Sequence, residues 1–378
     1  MLDTLIGAPL ILLLNVFARF LGFVLRIDHS LKKPVNTIVV CKFLGLGSII
    51  QSTPLLQTLR KNYPGAKLIF VTSAGNRKLL QNLGIIDEVL TISDTSFFNL
   101  LKSSLQLVFN LWKRRPGIYI DLEIHSYYSN LVSTFSMARN RLGYFKKSKR
   151  YRKGVYTHLI RFDENAPISK TYLEFATLMG CKEIITDLSP LLDDTTLEAA
   201  FSDVQRITGL QPGQPYIVIN PNASDLRLER RWPKESYAEL IKSLAPSNTI
   251  VLIGDSKEQT YVKELESLLG NAQHVINSSG RLTLNQLIAL ISHCRLMITN
   301  DTGPMHIAFA MGKKTIALFG PCSPLQYGQV KNSITLYKQV HCSPCVHNHV
   351  TPPCHGNNIC MKQIAVAEVQ QAVAAASR

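Results

Sequence analysis

Acidic residues are scarce in this 378-residue chain: 26 Asp and Glu stand against 41 Lys and Arg, a formal charge of +15. Such a surface favours anionic partners, namely nucleic acid, anionic lipid or phosphorylated substrates. No complete dinucleotide fingerprint is present. In "FLGLGSII", Gly45 and Gly47 supply G-x-G, but Ile50 stands where the third glycine belongs. A Walker-type phosphate loop is missing too, because "GKKT" (312–315) has Ile307 where the first glycine should be. Dehydrogenases and P-loop nucleotide hydrolases therefore lose support. There is no clear D-x-D motif for a metal-bound diphosphate, no convincing short-period repeat, and no recognisable nucleic-acid module beside the basic residues. Nor does the N-terminus read as a signal peptide: it carries Asp3 rather than a basic region, and no small-residue cleavage site follows.

One long apolar run is present. Leu5 to Leu25 reads "LIGAPLILLLNVFARFLGFVL", with only Asn15 and Arg19 strongly polar. Its length suits a bilayer span, which Pro9 and Arg19 weaken, so an interfacial helix and a buried core helix stay open. Arg26, Lys32 and Lys33 follow it and favour a body on the cytoplasmic side. The expectation is a membrane-associating segment over residues 1–34. A second basic element, "RNRLGYFKKSKRYRKGVY" (139–156), reads either as a solvated loop or as a contact for anionic lipid or a phosphate-bearing acceptor.

With 46% apolar and 18% charged residues, the remainder suits a globular body with a sizeable core and about two domains. After Pro34 strands and helices alternate. "NTIVVCK" (36–42), "AKLIFVT" (66–72), "DEVLTI" (87–92) and "GIYIDLE" (117–123) read as buried strands, with a helix near 48–62. Residues 184–215 are turn-rich and read as a linker. Alternation then restarts with "PYIVINP" (215–221), "NTIVLIG" (248–254), "RLMITN" (295–300) and "KKTIALFG" (313–320), and with helices near 234–245, 257–269 and 283–293. The pattern predicts an α/β fold of two doubly wound parallel-sheet domains in tandem, over 35–205 and 206–378. Ligands in such sheets sit beyond the carboxyl ends of the strands.

"NDTGPMHIAFAMG" (300–312) joins a strand to a helix through a polar turn containing glycine. A helix N-terminus offers unpaired N–H groups and a positive dipole end, and Pro304 suits the first turn, so the stretch reads as an anion site. An ordinary capped turn is the plainer reading. In "NPNASDLRLERRWPKESYAEL" (220–240) Arg227, Arg230 and Arg231 precede a helix start, where they either neutralise a diphosphate or remain solvated. Trp232 is expected to pack rather than bind.

"SIIQSTPLLQTLRKNYPGAKLIFVT", "RRWPKESYAELI" and "ITNDTGPMHIAFAMGKKTIALFGPCSP" together resemble glycosyltransferase family 9, which contains the ADP-heptose:lipopolysaccharide heptosyltransferases. The resemblance runs from about residue 36 onward with the motifs in family order. It implies the GT-B architecture, two Rossmann-like domains with a nucleotide-sugar in the interdomain cleft. It places Thr302, Gly303 and His306 at the donor diphosphate, Asp301 near the donor sugar or as the residue that orders the turn, and Arg230 where the family often has lysine. Glu258 falls where an acidic residue holds the ribose, and Ser224 joins the donor-binding set. The family's proposed base is the aspartate of a Gly-Asp pair, but here the pair is Gly47-Ser48. A serine hydroxyl is too weak a base at neutral pH, so another group must take the proton. "IYIDLEIH" offers Glu123 first, then Asp121, with His125 on the same alternation, although a carboxylate merely paired with a nearby Lys or Arg is the plainer reading.

The implied reaction is an inverting, metal-independent transfer of a sugar, heptose by resemblance, from a nucleotide diphosphate to a lipopolysaccharide-core or related glycan acceptor. No cofactor is expected for catalysis. The expected location is the cytoplasmic face of the bacterial inner membrane. The competing readings are a catalytically silent nucleotide-sugar-binding or scaffold protein, motivated by Ser48, and a transferase of the same fold with another donor sugar. Cys342, Cys345, Cys354 and Cys360, within the Cys-rich segment 341–361, have the spacing C-x2-C-x8-C-x5-C. A structural zinc site, reduced thiols and disulfides all remain open for them.

Overall fold

The computed structural model describes residues 2–146, 152–223, 227–270, 272–328, 330–346, 349 and 351–377. Two compact units emerge, one over residues up to Glu164 with Ile168–Ser189, the other built mainly from Pro190 onward.

The first unit opens with α1 (Leu2–Leu25) and β1 (Thr37–Cys41). The expected helix near 48–62 is two: α2 (Leu46–Ile50) and α3 (Thr53–Asn62), interrupted at Gln51 and Ser52. Then come β2 (Lys67–Ser73), α4 (Arg77–Asn82), β3 (Glu88–Ile92) and α5 (Phe97–Arg114). The unit finishes with β4 (Ile118–Asp121), α6 (Tyr127–Phe135), β5 (Asn140–Phe145), β6 (His158–Arg161) and α7 (Ile168–Leu178). All pairings are parallel, in the order β3-β2-β1-β4-β5-β6. β1 is buried at every position, as a central parallel strand covered on both faces must be.

In the second unit α8 (Asp194–Thr208), β7 (Tyr216–Asn220), α9 (Lys234–Leu244), β8 (Thr249–Leu252), α10 (Gln259–Leu269) and β9 (Val275–Asn277) come first. They are followed by α11 (Leu284–His293), β10 (Leu296–Asn300), α12 (Gly303–Ala310), β11 (Thr315–Phe319), α13 (Pro324–Tyr327) and β12 (Ser333–Tyr337). Two more helices, α14 (Ile359–Lys362) and α15 (Val366–Ala376), complete it. Its parallel sheet runs β12-β11-β10-β7-β8-β9.

In each sheet the strand order reverses once, between β1 and β4 and between β7 and β10. At such a reversal the connecting segments diverge and leave a crevice at the carboxyl ends. Lys42 and Glu123 lie just past β1 and β4, whereas Asn220 and Asn300 end β7 and β10.

Several expectations change. Residues 184–215 are not simply a linker, because they contain α8. Asp193 caps it by accepting from Thr196 N at 2.9 Å, Gly209 ends it at φ 76, and Ala200 and Val204 are buried. α8 packs on α11, so the division falls near residue 190 rather than at 205. The basic element at 139–156 is in part core: β5 lies in it and Arg152 is fully buried, while residues 147–151 are outside the described set. The N-terminal run is helical, but among the described residues no helix is long and apolar enough to cross a membrane. Nor is α1 a core helix. Ile11 packs with Tyr127 of α6, Val155 and Tyr156, whereas Leu13, Phe17, Phe20 and Phe23 are exposed.

Candidate active site

At the end of β10, the second unit's sheet is tied together by amide side chains. Asn300 uses its whole amide. Its Oδ1 accepts from Trp232 N at 3.2 Å and the Tyr237 hydroxyl at 3.0 Å, and its Nδ2 donates to the Pro221 and Asn222 carbonyls. Asn220 donates to Thr299 Oγ1 at 3.0 Å and Thr302 Oγ1 at 2.7 Å. Thr302 occupies the N-cap of α12 in extended conformation, yet its side chain makes no capping bond. The helix start thus keeps its first-turn donors clear of a side-chain cap, as an anion site requires.

Three polar side chains gather there. Asp301 is nearly buried, with Oδ2 3.9 Å from Arg230 Nε and Oδ1 3.9 Å from His306 Nε2. Arg230 Nη1 donates to the Asp301 carbonyl at 3.3 Å, while its buried Nε makes no hydrogen bond. Burial opposes the Arg230 charge, but Cys322 and Asp301 outweigh it and hold the guanidinium protonated. Cys322, absent from the residues singled out by sequence, is buried beside them. Burial and the adjacent Asp301 carboxylate keep its thiol well above the ordinary range. Burial drives His306 down to about 4, with Arg230 adding to the shift and Asp301 opposing it.

The His306 shift carries an expected result. Between about pH 4 and 6.5 the unfolded chain binds a proton at this site that the folded chain refuses, so stability rises with pH. The full contribution is present above pH 6.5 and is lost as pH falls towards 4. Denaturant titrations should therefore show His306→Gln losing about 2 kcal/mol less than the parent between pH 7 and pH 5. Equal losses in both would count against a buried neutral imidazole.

The neighbouring arginines have other tasks. Arg231 lies over the Tyr261 ring, its guanidinium carbon 4.1 Å from the centroid. Arg227 Nη2 donates to the carbonyls of Val346 at 3.3 Å and His349 at 3.0 Å. Asn358 Nδ2 donates to the Arg231 carbonyl at 2.8 Å, and the buried Trp232 donates through Nε1 to the Ile364 carbonyl at 2.9 Å. Trp232 packs, as expected. The arginine segment is thereby strapped to residues 346–364. Glu258, beyond β8, is half-buried, and its Oε2 accepts from Asp255 N at 2.9 Å. Ser224 lies outside the described residues.

In the first unit β4 stops at Asp121, so the alternation does not carry Asp121, Glu123 and His125 to one side. His125 is exposed, and Asp121 is fully buried. The Asp121 carboxylate accepts from Ser129 Oγ, Arg152 Nη2, Glu123 N and the Tyr156 hydroxyl. Burial raises its pKa despite Arg152 and these donors. With no exposed surface and its acceptors filled, Asp121 is a structural carboxylate and not an accessible base.

Glu123 differs. Lys42 Nζ donates to Oε2 at 2.8 Å, and the N–H groups of Phe43 and Leu44 donate to Oε1 at 2.9 and 3.2 Å. Burial works to raise its pKa, but Lys42 and the two amides prevail and hold it below the ordinary carboxylate value. The turn it grips leads through Gly45, at φ 88, a conformation that favours glycine. Ser48, on α2, is half-buried, and burial pushes the nearby Tyr172 phenol well up, with the Glu123 charge adding to the rise and the Ser48 hydroxyl opposing it. A carboxylate thus reaches the neighbourhood of Ser48.

The four C-terminal cysteines are free thiols, which sets aside the disulfide alternative. Burial and neighbouring thiols raise Cys345 and push Cys360 to about 11. Among the described residues no three His, Cys, Asp or Glu side chains are grouped to hold a metal.

Residues 118–354 match the family described as glycosyltransferase family 9 (heptosyltransferase). The chain is 28% identical over 289 residues to lipopolysaccharide heptosyltransferase 2 of Escherichia coli K12, covering 74% of this chain and 81% of that protein. Its fold matches the crystal structure of the glycosyl transferase family 9 from Veillonella parvula, with a TM-score of 0.74 and 21% identity over 92% of this chain and 99% of that one. It also matches the E. coli ADP-heptose lps heptosyltransferase II, with a TM-score of 0.71 and 22% identity over 90% and 98% of the two chains.

Proposed function

Since the chain belongs to glycosyltransferase family 9, we propose that it transfers heptose from an ADP-heptose-like donor to a lipopolysaccharide-core acceptor, with inversion at the anomeric carbon. The observation that carries this reading is the convergence of Arg230, Asp301 and His306 on the start of α12, whose N-cap side chain makes no capping bond. As the anomeric C–O bond breaks, negative charge grows on the departing diphosphate. The Arg230 guanidinium and the first-turn N–H groups receive that charge, the role of preorganised donors, so the proposed transfer is metal-independent. Neutral His306 donates one hydrogen bond without adding charge. Asp301 is aimed at the donor sugar, and Glu258, near the end of β8, holds the ribose.

Glu123 is the proposed base. It is ionised at working pH and takes the acceptor proton as the acceptor oxygen bonds to the anomeric carbon. Its low proton affinity suffices because that hydroxyl acidifies as the new bond forms. ADP release on mixing ADP-heptose with deacylated core glycolipid tests the reading. Turnover requiring both substrates is the expected result. Donor that binds without any release, across a panel of acceptors, would leave a silent sugar-nucleotide-binding protein.

The proposed location is the cytoplasmic face of the inner membrane, with the exposed side of α1 lying in the interface. Phe20→Asp combined with Phe23→Asp should move the chain from membrane to soluble fractions while soluble-acceptor activity persists. Unchanged fractionation would remove α1 from that role.

A further inference from the structure

α5 is an 18-residue helix of which only Leu107 and Leu111 are buried. On its open side Phe97, Phe98, Leu101, Leu105, Phe109 and Trp112 are exposed, Phe98 by 80%. From Phe97 or Phe98 onward they recur at steps of three and four, which places them along one stripe. An apolar stripe of this length marks an interaction surface.

Its surroundings are basic. α5 has no acidic residue, and Lys102 and Lys113 are exposed on it. Past its end Arg115 and Arg139, with Trp112 and Met137, line a concavity of 390 Å³. Arg139 is half-buried there, its Nη2 donating to the Pro34 carbonyl at 3.4 Å, whereas Arg115 is exposed. Pro116 and Gly117, which precede β4, also line it, so it opens at the amino edge of the sheet, the opposite end from Glu123. α5 and α6 contribute Leu107, Leu111 and Val132 to one core cluster, and α1 packs on α6. The two apolar helices therefore belong to a single layer on one face of the first unit's sheet.

We propose that α5 is a docking surface for an anionic lipid bilayer. The stripe enters the acyl boundary and Trp112 sits at the headgroup level, where an amphipathic ring is favoured. The exposed Lys102, Lys113 and Arg115 meet lipid phosphates. Charge complementarity selects this occupant. A second copy docked by two-fold symmetry would bring the same unbalanced cations together, whereas an anionic surface neutralises them. The proposal extends the surface attachment suggested for α1 to a second helix. Its test reads vesicle binding with neither donor nor acceptor present, so its failure leaves the transfer chemistry untouched.

The experiment is flotation of the full chain, α1 unaltered, with phosphatidylcholine vesicles lacking or containing about a third phosphatidylglycerol. The parent should bind the anionic vesicles preferentially. Phe98→Ser, Leu101→Ser and Leu105→Ser combined should weaken that binding roughly tenfold or more, because three apolar side chains no longer enter the bilayer. Arg115→Gln should reduce the preference for phosphatidylglycerol. Circular dichroism and donor-induced thermal stabilisation, both unchanged, would show the variants folded. Parental binding by the triple variant overturns the proposal, as does equal binding to both vesicle types. A parent dimer that becomes monomeric in the triple variant, with vesicle binding unchanged, assigns the stripe to self-association and also overturns it.

Discussion

Arg230→Ala is expected to lower kcat by about 10²–10³, the loss typical of one preorganised donor facing developing charge. The side chain is half-buried, bonds the Asp301 carbonyl through Nη1, and keeps a buried Nε without a partner. The guanidinium is already held beside the start of α12, so a ligand phosphate meets its charge at little reorganisation cost. Arg230→Lys should recover part of the rate, because the charge returns without the planar fork. Arg230→Ala should also lose thermal stability, because the nearly buried Asp301 is left without its cation, whereas Arg230→Lys should stay nearer the parent. Steady-state kinetics with ADP-heptose, alongside melting curves, decide the matter. Parental kcat in a folded Arg230→Ala chain would remove the cation from the leaving-group site and with it the metal-independent reading.

The second large effect is expected at Glu123. Glu123→Gln preserves shape and an acceptor for the Phe43 and Leu44 amides, but it cannot take a proton. Turnover should fall by about 10²–10⁴ while donor affinity changes little. Asp121→Asn is the contrasting variant. Its carboxylate pairs with fully buried Arg152, and breaking one side of a buried pair costs about 3–5 kcal/mol, so lost stability should dominate. Ser48→Ala should cost less than either, since only a hydrogen bond near Tyr172 is removed. Glu123→Gln with parental turnover and a lowered melting temperature would make Glu123 solely an anchor for the turn at Phe43–Gly45.

The two sheets were legible because their central strands are continuous apolar runs, and "TIVVC" and "YIVIN" are buried at every position. The polar turn at 300–304 was legible for a different reason: glycine, proline and a threonine cap state their backbone requirements locally. β5 and β6 were not, because their side chains are mixed and the pairing with β4 decides them. α8 carried readable signals in Asp193 and Gly209, hidden by the turn-forming residues around it. Site chemistry was harder still. Asp121 and Glu123 are two residues apart in sequence, yet one meets Arg152 and Tyr156 and the other meets Lys42, partners supplied by distant strands and turns. Nothing in "FGPCSP" signals that Cys322 would sit against Asp301.

The strap between the arginine segment and residues 346–364 bears on synthesis. While a ribosome still shields those residues, Arg227, Arg231 and Trp232 lack the partners that fix the 227–232 backbone. The strands β7 to β11 can pair before then, and the polar turn at 300–304 can form. Arg227, Arg231 and Trp232, which flank Arg230, gain those partners only once residues 346–364, more than a hundred positions beyond them, have been translated. A nascent chain of this protein therefore can pair β7 to β11 before the arginine segment beside the 300–304 turn is tied down.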